Sequence, residues 1–187
     1  MTIQHPQEKI IETFDYNGIT VDLVEWTNTI WCGKIDYAIN NTDEPDVDTI
    51  MSGFQALNIP SACERCEGSW DVCMSVNYFS NERSNGVMFG FLVSTEEQPD
   101  GFDTYKVPAA QYMRIRMCDE TAQALGHEPF HGGIPPYEWI GEQIAPEFGY
   151  KYDDDSTPIF EYYGYWNPEK YVHEFSYLYV PVKKDEL

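Results

Sequence analysis

Positive charge is what this chain has least of. It carries 11 lysines and arginines against 32 aspartates and glutamates, a formal net charge of −21. Such a surface repels phosphate backbones, so direct nucleic-acid binding is not expected, and the charge serves solubility while drawing cations toward any cleft. The N-terminal run MTIQHPQEKIIETF has neither a basic segment nor an apolar stretch of the secretory kind. No apolar run approaches the roughly 18 residues a membrane helix needs. The terminal Lys-Asp-Glu-Leu would act as a retrieval signal only behind an entry signal, so it reads as chance and a cytoplasmic location is expected. Five cysteines, an odd number, read as thiols in that setting. Cys63, Cys66 and Cys73 cluster, but a zinc site needs about four ligands and the four histidines lie far off in sequence. A redox pair at Cys63 and Cys66 stays open, without the strand that precedes such a motif in thioredoxins. P-loop, dinucleotide fingerprint and Ser-His-Asp pattern are all missing, so no cofactor and no metal is expected.

Aromatic residues are plentiful. They make up 16% of the chain, with 14 tyrosines, the residue suited to surfaces apolar in body and polar at the tip. They concentrate in PIFEYYGYWNPEKYVHEFSYLYVPV, residues 158 to 182. Two alternating runs, Ile159–Trp166 and Glu174–Val182, flank an Asn-Pro-Glu-Lys turn and predict a hairpin. Period-two alternation places Glu161, Tyr163 and Tyr165 on one face of the first strand, and Phe175, Tyr177 and Tyr179 on one face of the second. Should those faces coincide, a single carboxylate is surrounded by tyrosines, a receptor for a flat or cationic molecule.

An internal repeat organises the rest. The first half reads as strands Ile19–Trp26 and Thr29–Ala38, a helix over Asp46–Leu57, the cysteine-bearing loop Asn58–Ser69, and strands Trp70–Phe79 and Val87–Ser94. The second reads as a strand Asp103–Met117 bent at Pro108, a loop Cys118–Ile134, a helix from Pro135 carrying Tyr137, Ile140 and Ile144 and ended by Pro146 and Gly149, then the hairpin. Thr95–Gly101 is the seam. The expectation is one α+β domain over residues 1–187, built from tandem β-α-β-β repeats of about 10–95 and 102–183. Pseudo-two-fold symmetry, antiparallel sheets, helices on one face and a central ligand cleft complete it.

The runs DTYKVPAAQYMRIR, PPYEWIGEQIAPEFGY, PIFEYYGYWNP and SYLYVPVK resemble the GyrI-like small-molecule-binding domain, similar to the effector-binding domain of AraC-type and MerR-type bacterial transcription regulators. The resemblance covers residues 102 to 183; the first half agrees in element order, with the Cys63–Cys66 loop as a departure. It implies a tandem β-α-β-β pair around a cleft for bulky, cationic or aromatic compounds, with Glu161 at its centre and Tyr177 or Tyr179 on its wall. Some free-standing members are implied to hydrolyse cyclopropane-bearing alkylating toxins, and those of the gyrase-inhibitor type bind a protein. Too few residues precede Ile19 for a helix-turn-helix, so a free-standing protein, or one working with a separate partner, is expected.

Individual residues keep competing readings. Glu161 is either a solvated strand glutamate or a partly dry cleft acid, which would be the catalytic group were the protein an enzyme. Tyr163, Phe175, Tyr177 and Tyr179 are cleft walls or ordinary cross-strand pairs. Trp166 is a rim residue or a turn anchor. Met74 and Tyr78, with Val76, occupy the first half's equivalent of the Glu161 face and offer an apolar wall, while Trp139 near the helix start looks toward the cleft mouth. Glu174 falls on the face opposite Tyr177. Binding of a hydrophobic or cationic small molecule leads; hydrolysis of strained-ring electrophiles and protein inhibition are the alternatives.

Overall fold

The computed structural model describes residues 8–37, 71–76, 86–124, 139–153, 157–163, 166–167, 172–173 and 176–185. The strands are β1 (Glu8–Tyr16), β2 (Ile19–Trp26), β3 (Thr29–Tyr37), β4 (Asp71–Val76), β5 (Gly86–Val93), β6 (Asp103–Val107), β7 (Ala110–Met117), β8 (Tyr150–Tyr152), β9 (Ile159–Tyr163), β10 (Trp166–Asn167), β11 (Val172–His173) and β12 (Ser176–Lys184). A short helix α1 (Asp119–Ala124) follows β7, and a π-helical turn Ile140–Ile144 runs on into α2 (Ala145–Glu147). The fold is α+β, and every strand pair is antiparallel. Ten strands form one sheet, ordered β1-β2-β7-β12-β9-β4-β5-β3-β6 with β8 added to β12; β10 and β11 form a separate ribbon. Among the described residues no helix is long and apolar enough to cross a membrane.

Sequence-predicted elements reappear with informative differences. Asp103–Met117 is two strands, because Pro108 lacks the N–H a continuous ladder needs. β6 joins β3, whereas β7 joins β2 and β12. β2 and β3 likewise part at residues 27–28, β2 going to β7 and β3 to β5. The two crossing points touch, where the Ala109 N–H donates to Asn28 Oδ1 at 2.8 Å. β1 is an unexpected strand, turned into β2 by Asn17 (φ 53°) and Gly18 (φ 85°), the left-handed pair of a type I′ hairpin. The predicted loop from Cys118 contains α1, and β8 was likewise unforeseen. Gly149 leaves the second helical segment at φ 79°, as its sequence position suggested. The first-half helix over 46–57 lies outside the described residues.

The sheet buries both faces. On one, Ile140, Ile144 and Ala145 of the helical segment pack on Val21, Leu23, Met113, Ile115, Ile159, Leu178 and Val180. On the other, Trp26, Trp31, Tyr112, Phe160, Tyr162 and Tyr179 form a closed aromatic cluster, none more than 1% exposed. β2 and β9 are three positions apart in the sheet, about 14 Å if it were flat. Yet the Trp26 and Phe160 rings lie 5.1 Å apart. The sheet therefore curls around the aromatic cluster. Trp26 and Trp31 indoles both donate to Thr29 Oγ1, at 3.1 and 2.7 Å, which fixes the corner where β2 gives way to β3.

Tight approach of β3 and β5 supports the curl. Gly33 and Gly90 face each other in register. A Cβ at Gly90 would stand 2.3 Å from the Cys32 carbonyl oxygen, and one at Gly33 only 1.8 Å from that of Phe89. Backbone atoms cannot yield as a flexible side chain does. Gly90→Ala is expected to lower stability by about 1–3 kcal/mol, read as a reduced urea midpoint; an unchanged midpoint would contradict the tight pairing.

Candidate functional site

β9 places Glu161 at the middle of the sheet, half-buried, between β12 and β4. Its cross-strand partners are Leu178 on one side and Cys73 on the other. The same row continues through Leu178 to Ile115 and Val21, and through Cys73 to Phe89. Directly opposed residues share a face, so Glu161 belongs to the face that carries the helical segment. Two apolar clusters occupy that face. One contains Val21, Ile115 and Leu178 under the π-helical turn, and the other contains Cys32, Phe91 and Val93 on the β3–β5 side. Glu161 stands between them.

The expected meeting of Glu161 with the last-strand tyrosines does not occur. Tyr177 opposes Tyr162 and Tyr179 opposes Phe160, one residue out of step with Glu161. A one-residue offset puts side chains on opposite faces. Tyr177 and Tyr179 accordingly belong to the aromatic interior, with Tyr179 stacked on Phe160 at 4.4 Å. Met74 opposes Phe160 and Met88, so its register position is not in the Glu161 row; Cys73 takes that place. Tyr163 ends β9 opposite Ser176, and Trp166 pairs with His173 in the small ribbon. Trp139 packs edge-on against Tyr16 of β1 at 5.6 Å, and β1 is four positions from β9 in the sheet. Tyr78, Tyr165, Phe175, Glu174, Cys63 and Cys66 lie outside the described residues.

Sequence reasoning also missed a buried ionic cluster within the aromatic interior. Arg114, 1% exposed, donates from Nε and Nη2 to Asp22 Oδ2 at 3.2 and 2.9 Å. Its Nη1 donates to Glu8 Oε1, and the Tyr179 hydroxyl donates to Glu8 Oε2 at 2.9 Å. The guanidinium carbon also lies 4.5 Å from the Tyr177 ring centre. Burial opposes the Arg114 charge, but Glu8, Tyr179 and Asp22 more than offset this and hold the guanidinium above its usual range. Alternation of Tyr112, Arg114 and Arg116 along β7 was visible in the sequence. Both arginines share one face, and the one that is buried is set by β1, whose Glu8 reaches Arg114.

Burial pushes the Tyr179 phenol well above its ordinary 10.0, and the Glu8 carboxylate adds to the shift. Burial likewise raises Tyr112, while its hydrogen bond to Thr157 Oγ1 pulls back part of the way. Both phenols hold their protons more tightly folded than unfolded, so their contribution is complete below the unfolded value and falls as pH rises through the folded one. Stability is expected to decline above about pH 10, with tyrosinate absorbance from these residues appearing together with unfolding. Ionisation of all tyrosines before loss of structure would contradict their burial.

No family model and no curated protein matches the sequence. Solved structures do. The C-terminal domain of EcmrR aligns with a TM-score of 0.58 at 14% identity, covering 88% of this chain and 97% of that one. A bacterial transcription regulation protein of Staphylococcus aureus MU50, described as putative, aligns at 0.55 and 13%, covering 89% and 99%. SAV2435 bound to tetraphenylphosphonium aligns at 0.56 and 15%, covering 87% and 93%. This chain thus shares its fold with these three structures.

Proposed function

We propose that this protein binds a bulky, hydrophobic, cationic small molecule on the helix-bearing face of the sheet, with Glu161 as the counter-charge. The observation that carries the reading is a half-buried carboxylate at the centre of the sheet, in a row with buried Leu178, Ile115, Val21 and Phe89 and flanked by two apolar clusters on the same face. A carboxylate there can neutralise a cation whose apolar body lies along the row against Phe89, which keeps 9% of its surface exposed. Tetraphenylphosphonium, the ligand of SAV2435, has that chemistry: one delocalised positive charge within four phenyl rings. The charge of −21 supports the same class, because the protein's field concentrates cations and repels nucleic acid.

The cleft itself belongs to a pseudo-two-fold arrangement in this reading. The strand order supports it: β2-β7-β12-β9 and β6-β3-β5-β4 are corresponding sequences that meet at the β9–β4 pair. Each half lends its first strand to the other, and the crossings meet at Asn28 and Ala109. Glu161 then lies beside the axis, and the first half contributes Cys73 at the mirrored position. A single ligand near the axis would meet one acid rather than two. Sensing or sequestration of such compounds, alone or with a separate regulatory partner, is the corresponding role.

Titration calorimetry with tetraphenylphosphonium is the test. Glu161→Gln keeps shape and polarity while removing charge, and is expected to weaken binding about tenfold, the worth of roughly 1.4 kcal/mol. Equal affinity of the two proteins would remove Glu161 from the site.

A further inference from the structure

The N-terminal strand is attached to the sheet in an unusual way. Among the described residues β1 stands at one end of the strand order and pairs with β2 alone. Five of its nine side chains are exposed, and the sole fully buried one is a carboxylate, Glu8. An apolar strand holds its place by fully burying hydrocarbon; the apolar side chains of β1 that pack on the cores, Ile10, Phe14 and Tyr16, are only partly buried.

A register shift between Ile10 and Glu12 allows the strand to serve both faces. Before the shift, Glu8 and Ile10 oppose Trp26 and Val24, on the aromatic interior. Beyond it, Phe14 and Tyr16 oppose Val21 and Ile19, on the helix-bearing face. There Phe14 stacks on Phe148 at 4.3 Å, and Tyr16 meets Trp139 at 5.6 Å and Phe148 at 6.5 Å. Ile11, at the shift, is 42% exposed. One strand therefore holds the ionic cluster at one end and both ends of the second helical segment at the other.

Charge balance makes the inner attachment conditional. Asp22 already satisfies Arg114 with two donors to Oδ2 and accepts a further hydrogen bond from Thr13 Oγ1 at 2.7 Å. Glu8 is a second acid on the same guanidinium. Its insertion gains the Arg114 and Tyr179 hydrogen bonds but requires a carboxylate to leave water. The net benefit is smaller than that of an equally buried leucine. Segments held in this way, with few buried apolar side chains, open before the global unfolding of a domain.

We infer that β1 is a releasable strap, latched by Glu8 on Arg114 and Tyr179, that opens as a unit and frees the helical segment from Trp139 to Phe148 with it. This holds whatever the Glu161 face binds. Hydrogen exchange on the full chain, followed by mass spectrometry, tests it. In the unaltered protein, residues 8–16 are expected to exchange about tenfold or more faster than β7 and β12. Glu8→Ala is expected to speed exchange in 8–16 and 139–148 together while β3 and β5 keep their rates. Tyr16→Ala, which leaves the ionic cluster intact, is expected to speed 139–148 as well, and decides the matter should Glu8→Ala fail to fold. Exchange of 8–16 at the pace of β7 and β12, or a helical segment indifferent to Tyr16→Ala, overturns the inference.

Discussion

Alternation along two paired strands governs this molecule. Because β9 and β12 pair with Glu161 opposite Leu178, the acid and the tyrosines one step away must leave the sheet in opposite directions. The aromatic side then closes on itself. The helix-bearing side retains a carboxylate at its centre, with apolar residues to either side. The two sides differ in kind: one holds the sheet in its curved form, the other carries the half-buried acid.

The closed side is dense with ring contacts. Phe160 alone lies within 5.1 Å of Trp26, Trp31, Tyr112 and Tyr179. Such pairs add about 0.5–1.5 kcal/mol each beyond the area they bury. The Arg114 cluster contributes little net stability by that measure, since desolvation consumes most of what its hydrogen bonds return. Its effect is to fix which residues may stand together: an unpaired Arg114 in this interior would be costly, so Asp22 and Tyr179 must hold their register. The acidic surface lies outside this balance and bears on which ligands approach.

Much of the architecture was legible in the sequence. Ile19–Trp26 was bounded to the residue and the start of the first hairpin strand at Ile159 was placed, because period two is a strong local signal. The predicted run to Trp166 is instead divided, Trp166 pairing with His173 in a separate ribbon, and the last strand runs from Ser176 to Lys184. Pro108 announced a break whose consequence, two strands in different parts of the sheet, is non-local and left no local trace. β1 was missed although Asn17-Gly18 is a strong hairpin signal; its outward charges masked the alternation, and the shift at Ile11 reverses the pattern midway. Glu161 could be singled out as an acid among aromatics, but its companions could not. Which face of β12 it shares depends on register, and register is set by the turn and by packing rather than by either strand alone.

The most direct measurement is the set of intermolecular nuclear Overhauser effects between tetraphenylphosphonium protons and assigned side chains of the protein. The account predicts contacts to the Glu161 side-chain methylenes and to the Phe89 ring, in the same row, and none to Tyr112, Phe160 or Tyr179. Contacts to those interior rings instead would place the ligand on the other face and contradict it.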